Sequence, residues 1–161
     1  FLESKQIFAS KDDVTGEDVD IKGLTVEGFE AELKGNLTDK FSLVAGFTAM
    51  DGETSSGGEP REIPDQMLTL YGTYEISDKA GIAFGFTKQG ESNIKNNKPD
   101  LVLPSYTRFD MAAYYNISDD LVLRFNVENL TDELYFPHSH STHQASVGEE
   151  KNVRVSISKK F

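Results

Sequence analysis

The sequence predicts an all-β fold, a section of an antiparallel transmembrane β-barrel with about seven strands. Three observations predict it. Apolar and polar residues alternate over runs of about ten residues, with period two. Short turns containing Asp recur about every forty residues. Between the runs, those tight turns alternate with long polar loops rich in Gly, Pro and Asn.

Residues 1–22 read as a loop or the end of a preceding strand, and residues 23–161 as the barrel strands. The first run is Thr25–Asn36, with Phe29, Ala31, Leu33 and Gly35 opposite Glu30, Glu32, Lys34 and Asn36. The second, Phe41–Met50, sets Phe41, Leu43, Ala45 and Phe47 against Ser42, Val44, Gly46 and Thr48. The third, Gln66–Ile76, carries Leu68, Leu70, Gly72, Tyr74 and Ile76 on one side. The fourth, Gly81–Gln89, carries Ile82, Phe84 and Phe86. The fifth, Tyr106–Ile117, carries Phe109, Met111, Ala113, Tyr115 and Ile117. The sixth, Leu121–Leu130, opposes Leu121, Leu123, Phe125 and Val127 to Val122, Arg124, Asn126 and Glu128. The last, Asn152–Phe161, opposes Val153, Val155 and Ile157 to Arg154, Ser156 and Ser158, with Lys159 breaking the apolar row.

The tight turns lie near residues 38–40, 77–80 and 118–120. Each has an apolar residue, a hydroxyl residue and Asp, whose short side chains bond nearby backbone N–H groups. The long loops are residues 51–65, 90–105 and 131–151. Short turns at one end and long loops at the other are the pattern of outer-membrane barrels. Runs of ten to eleven residues match the roughly 9–11 that a tilted strand needs to cross hydrocarbon, whereas soluble strands cluster near 5–6. Alternation alone also fits a water-soluble barrel or sandwich, so the two readings differ in what covers the apolar row. Lys159 stands so near the chain end that its side chain reaches the headgroup level.

Composition narrows the function. The 161 residues carry a formal net charge of -11, which repels phosphate backbones and argues against nucleic acid as a partner. There is no cysteine, so disulfides and thiolate metal sites are excluded. No apolar run is long enough for a transmembrane helix, which says nothing about strands. The chain opens with Phe1 and has no leader pattern, so it reads as a piece of something longer. No nucleophilic serine motif, phosphate loop or metalloprotease helix is present, and the protein is not expected to be an enzyme.

Several segments resemble TonB-dependent siderophore receptors. Leu103-Pro104-Ser105-Tyr106-Thr107-Arg108-Phe109-Asp110 is similar to the start of a late barrel strand in that family. Val127-Glu128-Asn129-Leu130-Thr131-Asp132-Glu133-Leu134-Tyr135 resembles a second motif, and Gly148-Glu149-Glu150-Lys151-Asn152-Val153 the opening of the last strand. Ile63-Pro64-Asp65-Gln66 and Val26-Glu27-Gly28-Phe29-Glu30 are similar to earlier segments. Glu149, Glu150, Lys151 and Lys159 depart from the usual pattern. The resemblance covers about Gly23 to Phe161. It implies the C-terminal strands of a 22-stranded barrel that takes up a ferric siderophore, with no intrinsic cofactor. It implies as partners the TonB complex, acting through an N-terminal part outside this chain, and the barrel-assembly machinery. Outer-membrane lipid and lipopolysaccharide would surround it in the bacterial outer membrane. The alternative is a soluble or membrane-anchored β-barrel module binding a small ligand or surface partner.

Candidate site residues lie in the loops. His138 and His140 are two apart, so an extended chain places them on one face, with His143 off that register; imidazole binds transition metals. The plain reading is a mixed polar loop; the functional one is contact with a ferric chelate or its catechol oxygens. Lys88, Lys95 and Lys98 suit an anionic siderophore or lipid phosphates. Asp51, Glu53, Glu59, Glu62 and Asp65 make an acidic loop without EF-hand spacing. Arg108 and Asp110 read as an inward ion pair holding the lumen or plug. Val155, Ile157 and the terminal Phe161 belong to the strand expected to pair with the barrel's first strand and close it. Three glycosylation-type sequons, at Asn36, Asn116 and Asn129, fit turn chemistry better.

Overall fold

In the computed structural model, residues 2–11 and 18–160 are described, with side chains from Gly23 onward except Ser141. Phe161 lies outside the described residues. The described residues form twelve strands: β1 Leu2–Lys11, β2 Asp18–Asn36, β3 Phe41–Thr54, β4 Gln66–Ser77, β5 Ala80–Gln89, β6 Ser92–Asn93, β7 Val102–Leu103, β8 Tyr106–Ser118, β9 Leu121–Glu128, β10 His138–Ser141, β11 Gln144–Ser146 and β12 Asn152–Lys159. Eight of them form one antiparallel sheet in the order β1-β2-β3-β4-β5-β8-β9-β12. The small pairs β6-β7 and β10-β11 stand apart from it.

The seven runs read from the sequence are β2, β3, β4, β5, β8, β9 and β12. The eighth strand of the sheet is β1, in the segment expected to be a loop or strand end. Its sequence, LESKQIFASK, lacks a clean period of two. Its pairing with β2 shifts register between Gln6 and Ile7, where an irregularity takes up the mismatch.

The tight turns follow from their hydroxyl residues. Thr38 Oγ1 accepts hydrogen bonds from the N–H groups of Lys40 and Phe41 at 3.2 and 3.0 Å. Ser77 Oγ accepts one from Lys79 N–H at 3.3 Å. In the third turn the Ser118 hydroxyl donates to the Asp120 carboxylate at 2.5 Å.

Register decides where the apolar residues go. Gly35, Leu43, Gly72, Phe84, Met111, Val127 and Val153 are successive cross-strand partners, one rung across seven strands. The adjacent rung, on the other face, is Asn36, Ser42, Thr73, Ala83, Ala112, Asn126 and Arg154. Side chains alternate along each strand, so all seven apolar rows fall on the same face. Glycine at position 72 makes room for its neighbour, because a Cβ there would collide with the Phe84 ring.

Among the described residues nothing covers that face. Among the described residues the buried large apolar side chains are Leu103, Val127 and Tyr135, near the loop end of the sheet. Phe84, Phe109, Phe125, Val155 and Ile157 are exposed, at 40% to 67%. Six strand spacings of about 4.8 Å make the apolar face nearly 30 Å wide. A face of that extent in water would be a strong aggregation surface. Polar groups border it at both ends. Lys88 pairs across the sheet with Leu68 and Thr107 at the loop end. Lys159 at the turn end pairs with Leu121 and leans toward Asp120, Nζ to Oδ2 4.0 Å. The exception in the last strand therefore sits at the edge of the apolar band.

In lipid vesicles, Phe84→Arg in the full-length parent is expected to cost about 2–4 kcal/mol of folding free energy, measured by denaturant titration. Glu32→Arg, on the polar face, is expected to stay within about 1 kcal/mol of the parent.

Candidate functional site

The long loops gather at one end of the sheet. The last of them is anchored by a polar clasp at its base. Asn129 ends β9 in a left-handed conformation, φ 49°, which Asn tolerates better than most residues. It is 1% exposed, and its side chain serves three backbone groups. Nδ2 donates to the carbonyls of Glu133 (2.9 Å) and Glu149 (3.0 Å), and Oδ1 accepts from Glu133 N–H at 2.9 Å. Asp132, also left-handed at φ 55°, accepts from Lys151 N–H at 2.9 Å. One short turn thus ties both ends of the loop together.

The clasp continues into β8. Asp110 Oδ1 accepts from Asn129 N–H at 2.9 Å, while Oδ2 accepts from Arg108 Nε (3.2 Å) and Nη2 (2.9 Å). Arg108 Nη1 donates to the Tyr135 hydroxyl at 3.1 Å. The Tyr135 ring lies against Tyr106, centroids 4.6 Å apart, and Gly148 packs directly on the ring, where a Cβ would strike it. Gly148 N–H also donates to the Tyr135 carbonyl at 2.8 Å. Arg108 and Asp110 form an ion pair, as expected from the sequence, on the polar face of the sheet. What it holds in this chain is the loop base.

The other two loops interlock. Asn93 Nδ2 donates to Glu59 Oε2 at 2.7 Å, Asn97 Nδ2 to Ser56 Oγ at 2.7 Å, and Thr54 Oγ1 to Asn97 Oδ1 at 2.8 Å. They enclose a cleft of about 170 Å³ lined by Asp51, Glu59, Asp65 and Glu91 together with Ile63 and Val102.

The candidate residues sit at the outer surface. His138, His140 and His143 are all exposed. His138 is opposite Ser146 in the β10–β11 hairpin and its Nε2 lies 2.9 Å from Ser146 Oγ. The rings that approach each other are His140 and His143, edge-on at 6.3 Å. Among the described residues no group of three His, Asp or Glu side chains is arranged to hold a metal ion. Lys95 and Lys98 are exposed on the loop between β6 and β7. Val155 and Ile157 lie on the edge strand β12 and face outward.

The sequence reading did not single out Asn129 and Tyr135 as a structural unit. The available signal was an Asn and an Asp three residues apart at a strand end, both suited to left-handed turns, ahead of an aromatic residue.

A family model described as TonB dependent receptor-like, beta-barrel, matches residues 11–130. The chain belongs to this family of TonB-dependent receptor β-barrels. Its members are receptors, not enzymes. The chain is 28% identical over 155 residues to the probable TonB-dependent siderophore receptor PiuA of Acinetobacter baumannii, matching 84% of this chain and 20% of that protein. The chain therefore spans about a fifth of the length of that curated relative. It is similar to the crystal structure of PiuA from Acinetobacter baumannii, with a TM-score of 0.80 and 25% identity, covering 99% of this chain and 25% of that one. A similar match is the ferripyoverdine receptor of the outer membrane of Pseudomonas aeruginosa bound to ferripyoverdine, with a TM-score of 0.78 and 25% identity over 99% of this chain and 24% of that one.

Asn129→Ala is expected to destabilise the full-length parent by about 1–3 kcal/mol, read from denaturant unfolding in detergent, because it strands three partly buried backbone groups. Asn129→Gly, which accepts the left-handed backbone, is expected to lose about 1 kcal/mol less.

Proposed function

We propose that this chain is the C-terminal section of a 22-stranded outer-membrane barrel that imports a ferric siderophore. The observation that carries the reading is the single apolar face spanning seven strands, left uncovered, with every long polar loop at one end of the sheet. A soluble module would have to bury Phe84, Phe109 and Phe125, and they are exposed. The names of the relatives support the cargo, since they include siderophore and ferripyoverdine receptors.

In this reading the outer loops capture the chelate. Lys95 and Lys98 attract an anionic ligand, and His138, His140 and His143 offer ring nitrogens to its oxygens. The iron chelate is cargo, and no resident cofactor is required. The polar face lines the lumen, and the TonB complex supplies energy through a part of the protein outside this chain. The lipid face meets lipid and, at the loop end, lipopolysaccharide. The β12 strand, with Val155 and Ile157, pairs with the first barrel strand, and together with the chain-terminal Phe161 it is read by the barrel-assembly machinery. Pairing removes a row of unsatisfied backbone groups that lipid cannot solvate.

Growth under iron limitation tests the proposal, with and without the full-length parent, on a panel of ferric chelates. Loss of growth on at least one chelate is expected when the gene is deleted. An unchanged profile on all of them would count against iron uptake.

A further inference from the structure

Two adjacent residues touch all three outer loops. Arg61 and Glu62 lie in the loop between β3 and β4. Glu62 adopts a left-handed backbone, φ 57°, a region that a residue of its size rarely occupies unless its surroundings hold it there. Its surroundings do. The Glu62 N–H donates to the Asn93 carbonyl at 2.8 Å, and Arg61 N–H donates to Asn96 Oδ1 at 2.8 Å. These bonds join the dipeptide to the loop that carries Lys95 and Lys98.

The side chains reach the third loop. Glu62 Oε1 accepts from the Ser139 N–H at 3.0 Å, and its Oε2 accepts from Arg61 Nη2 at 2.9 Å. Arg61 Nη1 donates to the His140 carbonyl at 3.3 Å. Ser139 and His140 are consecutive residues of β10, and Ser139 is 2% exposed. The hairpin so gripped has strands of four and three residues, with a register irregularity between Ser139 and Ser141. A two-stranded hairpin of that size does not hold itself together in water. The clasp at Tyr135 and Gly148 fixes its base, and the contacts from Arg61 and Glu62 brace its strands from outside.

We infer that Arg61 and Glu62 form a latch that orders the histidine hairpin and makes the three outer loops one mechanical unit. Glu62 is the positioning residue. It sets where His138 and His140 stand without being one of the groups that face a ligand. The value of that placement for capture rests on the proposed import function; the latch itself does not.

Hydrogen exchange on the full-length receptor in detergent, without any ligand, separates the two. In Glu62→Ala, amides of residues 138–146 are expected to exchange about tenfold faster or more, because a charge-assisted bond is lost. Amides of β8 and β9 keep the parent's rates. Glu62→Gln keeps an acceptor for Ser139 N–H but breaks the pair with Arg61, and it should fall between. It decides by the same criterion if the alanine variant does not fold. Parent-like exchange of the hairpin, or equal loosening of β8 and β9, overturns the latch. A failed growth assay would leave this measurement standing.

Discussion

The structure depends on one constraint, a cross-strand register kept in phase through the sheet. From β2 to β12 every antiparallel pairing places an apolar row beside an apolar row. A slip of one residue in any strand would turn that strand's apolar side chains to the polar face and its charges outward. The turns help to prevent this. Thr38 and Ser77 fix the chain reversal within a few residues, and the pairing registers follow from there. The result is a sheet with two chemically different faces and few buried apolar side chains of its own. Such a sheet is stable only where something else covers the greasy face. Lipid also demands that every backbone group be bonded, which a closed cylinder of strands supplies.

The loop end is built on another principle. There the buried apolar side chains Leu103, Val127 and Tyr135 are joined by polar side chains bonded to backbone. Asn129 and Asp110 brace the last loop against β8 and β9, and the Arg61–Glu62 pair joins the loops farther out. Several of these contacts aim at a backbone N–H or carbonyl, which fixes a loop's path. The histidines and lysines stay exposed because others do the bracing. Rigid support with an accessible rim is what a capture surface requires.

Much of the sheet was legible in the sequence because it is local. Period-two alternation marked seven strands, and hydroxyl–Asp turns marked the reversals between them. β1 escaped notice because LESKQIFASK does not alternate and its pairing carries an irregularity. The small pairs β6–β7 and β10–β11 are two to four residues per strand, too short for a period to register. The loop contacts were invisible for another reason. Glu62 and Ser139 are 77 residues apart, and Arg61 and His140 are 79 apart. No local pattern encodes such a pairing. Arg108 and Asp110, two apart on one strand, were recognised as a pair, whereas their partners Asn129 and Tyr135 were seen only as parts of a family-like motif.

The most direct test of the central claim is a spin-label scan of β9 in the full-length receptor reconstituted in lipid. One nitroxide is placed at each position from 121 to 128. Collision rates with oxygen, which partitions into hydrocarbon, and with a polar nickel reagent are then recorded. The account predicts high oxygen accessibility at 123 and 125, and none of that enhancement at 122, 124 and 126. Labels at 123 and 125 that are shielded from oxygen, or that meet the nickel reagent as freely as surface sites do, would contradict it.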